Sequence, residues 1–180
     1  QEVFLLDRSR TLIISLLTPR LAVSAGSGDN QTKVLILIDR PDRAIVVIPH
    51  PDDAEIGCGG TVARWIKEGT EVVYVLCTNG DKGSDDPEMT SERLAAVREV
   101  EQSHAAQVLG VAEVVFLRHP DGGLEDTSEL RGQLVKAIRT FRPSTILCPD
   151  PYRLGSYLHR DHRVCGQVTL DAAFPYARDR

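Results

Sequence analysis

The chain has 180 residues, 42% of them hydrophobic and 26% charged, which is the balance of a folded globular protein and excludes a disordered one. Its net charge of -5 and the absence of any Lys/Arg run interleaved with aromatics exclude the basic footprint of a nucleic-acid binder. No stretch approaches the roughly 20 apolar residues that span a bilayer.

Residues 1 to 43 differ in pattern from the remainder of the chain and read as a lead-in segment. Two apolar runs, "TLIISLL" and "KVLILI", are expected as strands, with the Gly/Ser/Asn-rich "SAGSGDNQ" between them as a loop. The stretch "RSRTLIISLLTPRLAVSAG" has the look of a signal peptide, but Pro19 and Arg20 interrupt its apolar run. The chain begins with Gln1 and its one Met is Met89, so it is expected to be a piece of a longer protein.

From residue 44 the pattern is regular. "AIVVI" (44 to 48), "EVVYVLC" (71 to 77), "EVVFL" (113 to 117) and "TILC" (145 to 148) are short β-branched runs, as in strands covered on both faces. Helical stretches separate them. "TVARWIKEG" ends at Gly69, "SERLAAVREVEQSHAAQVLG" ends at Gly110, and "SELRGQLVKAIRTF" follows the cap Thr127 and stops before Pro143. This alternation predicts an α/β fold, a Rossmann-like parallel sheet with helices on both faces. Ligands of such sheets bind beyond the carboxyl ends of the strands. Four polar loops lie there: "PHPDDAE", "TNGDKGSDD", "RHPDGGLED" and "PDPYRLGSYLHRDHR".

His50 and Asp53 stand three apart after the first regular strand, and His159 and His162 three apart after the fourth. Imidazole and carboxylate together suit zinc, which in catalytic sites takes three protein ligands and keeps a fourth position for water. Of the adjacent acids Asp52 and Asp53, one could ligate while the other takes a proton from that water; spacing does not say which. Either acid alone reads first as a helix N-cap, and H-x-x-H alone can be a solvated face. The joint occurrence at one rim favours a metal site. Gly57, Gly59 and Gly60 are expected to let the helix start pack closely under it.

Other residues read more plainly. His104 is expected on the surface of the long helix, and His119 lacks a partner at ligand spacing. Arg98 and Glu101 form an i,i+3 pair, Trp65 belongs to the core, and Asp121 serves a turn or reaches a substrate hydroxyl. Cys58, Cys77, Cys148 and Cys165 contain no C-x-x-C pair and suit reduced core thiols in a cytoplasmic protein.

"PHPDDAE" with "HRDH", joined by "CTNGDKG", "REVEQSHAAQVLG", "FLRHPDGGLEDT" and "ILCPDPY", resembles the PIG-L/LmbE-like zinc-dependent de-N-acetylases over roughly residues 43 to 177. The resemblance implies a Rossmann-like hydrolase, one Zn2+ per chain, and removal of the N-acetyl group from an N-acetylglucosamine-type sugar or its conjugate. It makes His50, Asp53 and His162 the zinc ligands and Asp52 the general base. His159 then stabilises the oxyanion or protonates the leaving amine, Asp161 orients its ring, and Arg98 and Asp121 bind substrate. Arg160 stands where many members have Pro. The family usually continues past the helix that ends this chain, and residues 1 to 43 have no clear counterpart in it.

The implied partner is a small N-acetylated sugar; self-association into a homo-oligomer is compatible with the sequence. The alternatives are an amidase of a sugar-thiol conjugate and a non-catalytic sugar- or nucleotide-binding relative. The lack of a dinucleotide fingerprint counts against nucleotide.

Overall fold

The computed structural model describes residues 3–5, 12–16, 40–152 and 159–178. The expected strand "KVLILI", the loop "SAGSGDNQ" and the middle of the fourth rim loop lie outside them. Six strands, β1 (Val3–Leu5), β2 (Leu12–Leu16), β3 (Arg43–Ile48), β4 (Glu71–Thr78), β5 (Glu113–His119) and β6 (Thr145–Pro149), form one sheet in the order β1-β2-β6-β3-β4-β5. All neighbouring pairs are parallel except β1 with β2. The lead-in segment therefore supplies strands that extend the main sheet.

Four helices connect and cover the strands: α1 (Asp53–Lys67), α2 (Ser91–Leu109), α3 (Ser128–Phe141) and α4 (Arg160–Asp171). Because side chains alternate along a strand, β3 feeds both faces. Ala44, Val46 and Ile48 pack with Ala54, Cys58, Val62 and Trp65 of α1, whereas Ile45 and Val47 pack with Leu130 and Leu134 of α3 and Val168 of α4. Each of the Val, Leu and Ile side chains among them contributes roughly 1.5–3 kcal/mol by leaving water. That double burial is why the strand reads as an unbroken apolar run.

Thr127 and Thr90 cap α3 and α2, each hydroxyl accepting a main-chain N–H of the first turn. Gly110, at φ 83°, ends α2 in the left-handed region. The start of α1 differs from expectation. The helix runs through Gly57, Gly59 and Gly60, and a Cβ at Gly59 would meet nothing closer than 3.9 Å and one at Gly60 nothing within 4 Å. Close packing is therefore not the reason for Gly59 or Gly60. Among the described residues, no helix is long and apolar enough to cross a membrane.

From β3 the chain steps outward to β4 and β5, then returns through α3 to place β6 on the other side of β3. The carboxyl ends of β3 and β6 thus flank the point where strand order reverses, where doubly wound sheets open a crevice. His50 leaves one strand there, and α4 follows the other.

Candidate metal centre and active site

Asp53 lies between two imidazoles. Its Oδ2 accepts the main-chain N–H of His50 at 2.9 Å and lies 3.2 Å from His50 Nδ1. Its Oδ1 lies 3.3 Å from His162 Nε2. Burial would raise the Asp53 pKa, but hydrogen bonds and charge from His162 and His50 hold it down to about 2. For His50, burial pulls the other way; the hydrogen bond and charge of Asp53, with Asp121 and Asp161 behind it, leave its pKa raised above the ordinary value.

The donor atoms of His50, Asp53 and His162 all lie within 4.8 Å of one another, close enough to converge on one ion. Two nitrogens and one carboxylate oxygen are a donor set that suits zinc and leaves a position open. His50, Asp121 and His159 meet the same distance criterion, sharing His50. In the first set one carboxylate reaches both imidazoles with separate oxygens.

Asp52 takes the N-cap position of α1 without capping it: its side chain makes no cap hydrogen bond, and its backbone sits at φ 90°. A non-glycine residue there is strained, and neighbours must hold it. Arg98 on α2 does so, donating to Pro51 O at 2.8 Å and to Asp52 Oδ2 at 3.3 Å. The same guanidinium donates to Gly80 O at 3.2 Å. Gly80, at φ 63°, leaves space that a Cβ would fill at 2.8 Å from Pro51 Cδ and 2.9 Å from Arg98 Nη1. Glycine in "CTNGDKG" is thus required for Arg98 to reach across. Partial burial and the neighbouring charge of Asp53 raise the Asp52 pKa, with Arg98, His50 and His162 pulling against them.

Two residues that sequence reasoning left without a role complete this turn. Gln102, on the buried stripe of α2 one turn beyond Arg98, accepts the Asp52 N–H at 2.9 Å and donates to Glu55 Oε1 at 3.0 Å. A polar side chain four residues from Arg98 and four before the buried Ala106 is the signal that could have found it.

Asp121 follows β5. Its N–H donates to Asp81 Oδ1 at 2.9 Å, its Oδ1 lies 3.0 Å from His50 Nε2, and its Oδ2 lies 4.0 Å from Arg98 Nη1. Asp161, fully buried in the first turn of α4, accepts from Gly122 N at 2.7 Å and Leu124 N at 3.2 Å, with Oδ2 3.2 Å from His50 Nε2. Its carboxylate thus faces His50 and the β5–α3 loop. The ring of His159 is met by Asp161 through the main chain, whose N–H donates to His159 Nδ1 at 3.2 Å. A neutral His159 accepting there carries its proton on Nε2. Arg160 donates to Leu124 O, tying the start of α4 to the same loop.

The eight residues singled out as site residues therefore meet at one rim. The other candidates stand apart: His104 is exposed on α2, and His119 Nε2 pairs with Gln133 Oε1 at 2.7 Å. Trp65 is core. Cys58, Cys77, Cys148 and Cys165 are buried free thiols.

Comparison with known proteins gives a consistent picture. A family model described as PIG-L: GlcNAc-PI de-N-acetylase matches residues 45–173. Diacetylchitobiose deacetylase of Thermococcus kodakarensis is 38% identical over 130 residues, 72% of this chain and 48% of that protein. Mycothiol S-conjugate amidase of Streptomyces coelicolor is 33% identical over 159 residues, 76% of this chain and 53% of its own length. Among solved structures, N,N'-diacetylchitobiose deacetylase from Pyrococcus horikoshii, in complex with its inhibitor MPG, superposes with a TM-score of 0.72 at 34% identity, covering 77% of this chain and 53% of that one. The chain spans about half the length of these relatives.

Proposed function

The chain belongs to the PIG-L family, and from that premise we propose that it is a zinc-dependent hydrolase removing the acetyl group from an N-acetylglucosamine-type sugar or its conjugate. The observation that carries this reading is the convergence of His50, Asp53 and His162 donor atoms within 4.8 Å, with Asp52 adjacent and uninvolved in helix capping.

In this reading His50, Asp53 and His162 hold one zinc ion per chain. Zinc bound there supplies a Lewis acid that brings the pKa of water to about 7 and polarises the acetamide carbonyl. Asp52 takes the proton of the attacking water as general base. His159, with Nδ1 accepting the Asp161 N–H, presents Nε2–H to the developing oxyanion as a hydrogen-bond donor, and the proton that Asp52 took from water passes to the departing amine. Arg98 and Asp121, between the base and His50, are the groups for sugar hydroxyls. Four buried thiols suit a reducing, cytoplasmic setting.

The test is acetate release from N,N'-diacetylchitobiose and from simple N-acetylglucosaminides. Activity should vanish on treatment with a chelator and return with zinc. The likeness to a mycothiol S-conjugate amidase supports a second substrate class, the amide of a sugar-thiol conjugate. Assaying both classes side by side decides between them. Turnover of neither by zinc-loaded protein would overturn the proposal.

A further inference from the structure

We propose that Asp161 is the positioning residue of the metal centre: it holds the proton of His50 on Nε2 and thereby presents Nδ1 to the ion. This rests on the zinc reading above. His50 is almost fully buried, and its two nitrogens face different acids. Nδ1 lies 3.2 Å from Asp53 Oδ2, within the ligand set. Nε2 lies 3.2 Å from Asp161 Oδ2 and 3.0 Å from Asp121 Oδ1. Both nitrogens face carboxylate oxygens, but Asp53 is itself in the ligand set and would turn its oxygen to the same ion, whereas Asp161 and Asp121 lie outside that set and can only accept. With the ion bound, the remaining proton belongs on Nε2 and the lone pair on Nδ1.

The two acids at Nε2 are not equivalent. Asp161 is 0% exposed, sits in the first turn of α4 where the helix dipole favours negative charge, and has its two oxygens held by the N–H groups of Gly122 and Leu124. It is committed as an acceptor. Asp121 also faces Arg98 and is the residue read as substrate-binding. When Asp121 engages a substrate hydroxyl, Asp161 still fixes His50. By accepting from Gly122 and Leu124, it also anchors the loop that carries Asp121. One buried carboxylate thus aligns a metal ligand and a substrate-binding loop.

Asp161→Asn tests this. An amide has one acceptor oxygen for positions that all require acceptance, so its NH2 must oppose Leu124 N–H, unseating the side chain that meets His50, or else Gly122 N–H and His50 Nε2 together. Zinc affinity, measured by competition with a chromogenic chelator, should fall 10- to 100-fold, the usual consequence of losing such a partner. Asp121→Asn, with Asp161 intact, should change zinc affinity far less. Should Asp161→Asn fail to fold, the wild-type chain carries the test. In 15N-labelled zinc-loaded protein, long-range imidazole spectra should show the His50 proton on Nε2. Zinc uptake with that proton on Nδ1, or a folded Asp161→Asn with wild-type zinc affinity, would overturn the assignment while leaving the zinc reading intact. A wild-type chain that binds no zinc would instead sink the zinc reading itself.

Discussion

Gly166 of α4 lies against the end of β6 so closely that a Cβ would sit 2.2 Å from the carbonyl oxygen of Pro149. It stands one turn beyond His162, so the helix that carries a candidate ligand is set down on the strand with no room for a side chain. Gly166→Ala should cost about 1–3 kcal/mol through overpacking, and should weaken zinc binding because α4 must lift. Gly60→Ala, in helix interior with open space around it, should instead stabilise by roughly 0.5–1 kcal/mol. Urea denaturation of the two variants should give shifts of opposite sign.

Asp52 combines a strained backbone with a side chain unused by the helix. Asp52→Asn should lower kcat by about 10²–10⁴, the range for loss of a general base, with zinc content unchanged. Asp52→Gly should be as inactive yet more stable than wild type by roughly 1 kcal/mol, since glycine accepts φ 90° without strain. An Asp52→Asn enzyme at full activity would remove Asp52 from the mechanism.

The metal-free protein should have a defined pH window. Asp53, lowered from 3.8 to about 2, contributes stability that is present above 3.8 and lost as pH falls toward about 2. His50, raised from 6.5, contributes stability that is complete below 6.5 and lost as pH rises through its folded value. Denaturation in the presence of a chelator should therefore show these contributions together between roughly pH 4 and 6.5. Zinc uptake must displace a His50 proton, so zinc affinity should climb with pH through that window and level off once His50 has lost that proton. Chelator-treated protein whose stability does not change between pH 6 and 9 would contradict the His50 shift.

Gln102 is 2% exposed and joins the Asp52 main chain to Glu55. Gln102→Leu leaves the Asp52 N–H and a Glu55 oxygen without this partner and should cost about 1–3 kcal/mol. Because the Asp52 turn loosens, kcat should fall while zinc content stays at the wild-type level. Glu55→Gln, which keeps an acceptor oxygen for the Gln102 amide, should be milder in both assays.

The sheet was readable because strands buried on two faces must be apolar throughout; all four runs from residue 44 onward are strands. The α3 reading, from the Thr127 cap to Phe141, coincides with the structure. The start of α1 was less readable, because "GCGG" looks like a helix breaker. There the packing of Ala54 and Cys58 on the sheet outweighs weak glycine propensity. That the candidate residues cluster at one rim was readable from the repeated pairing of histidine and aspartate at strand ends. The contact between Gln102 and Asp52 was not, since it depends on how α2 lies beside α1, and no spacing encodes that. Nor did the motif disclose that the Asp161 carboxylate faces His50, 111 positions away.

That separation gives a zinc ion a second effect. An ion held by His50, Asp53 and His162 would bridge the first strand-to-helix turn and the last helix, closing most of the folded chain into a loop. It would work as a cross-link as much as a reagent, stabilising the folded state in proportion to the logarithm of free zinc above its Kd. Zinc-starved protein should therefore lose its hold on α4 before its sheet comes apart, and the order in which amides exchange with solvent would record that sequence of events.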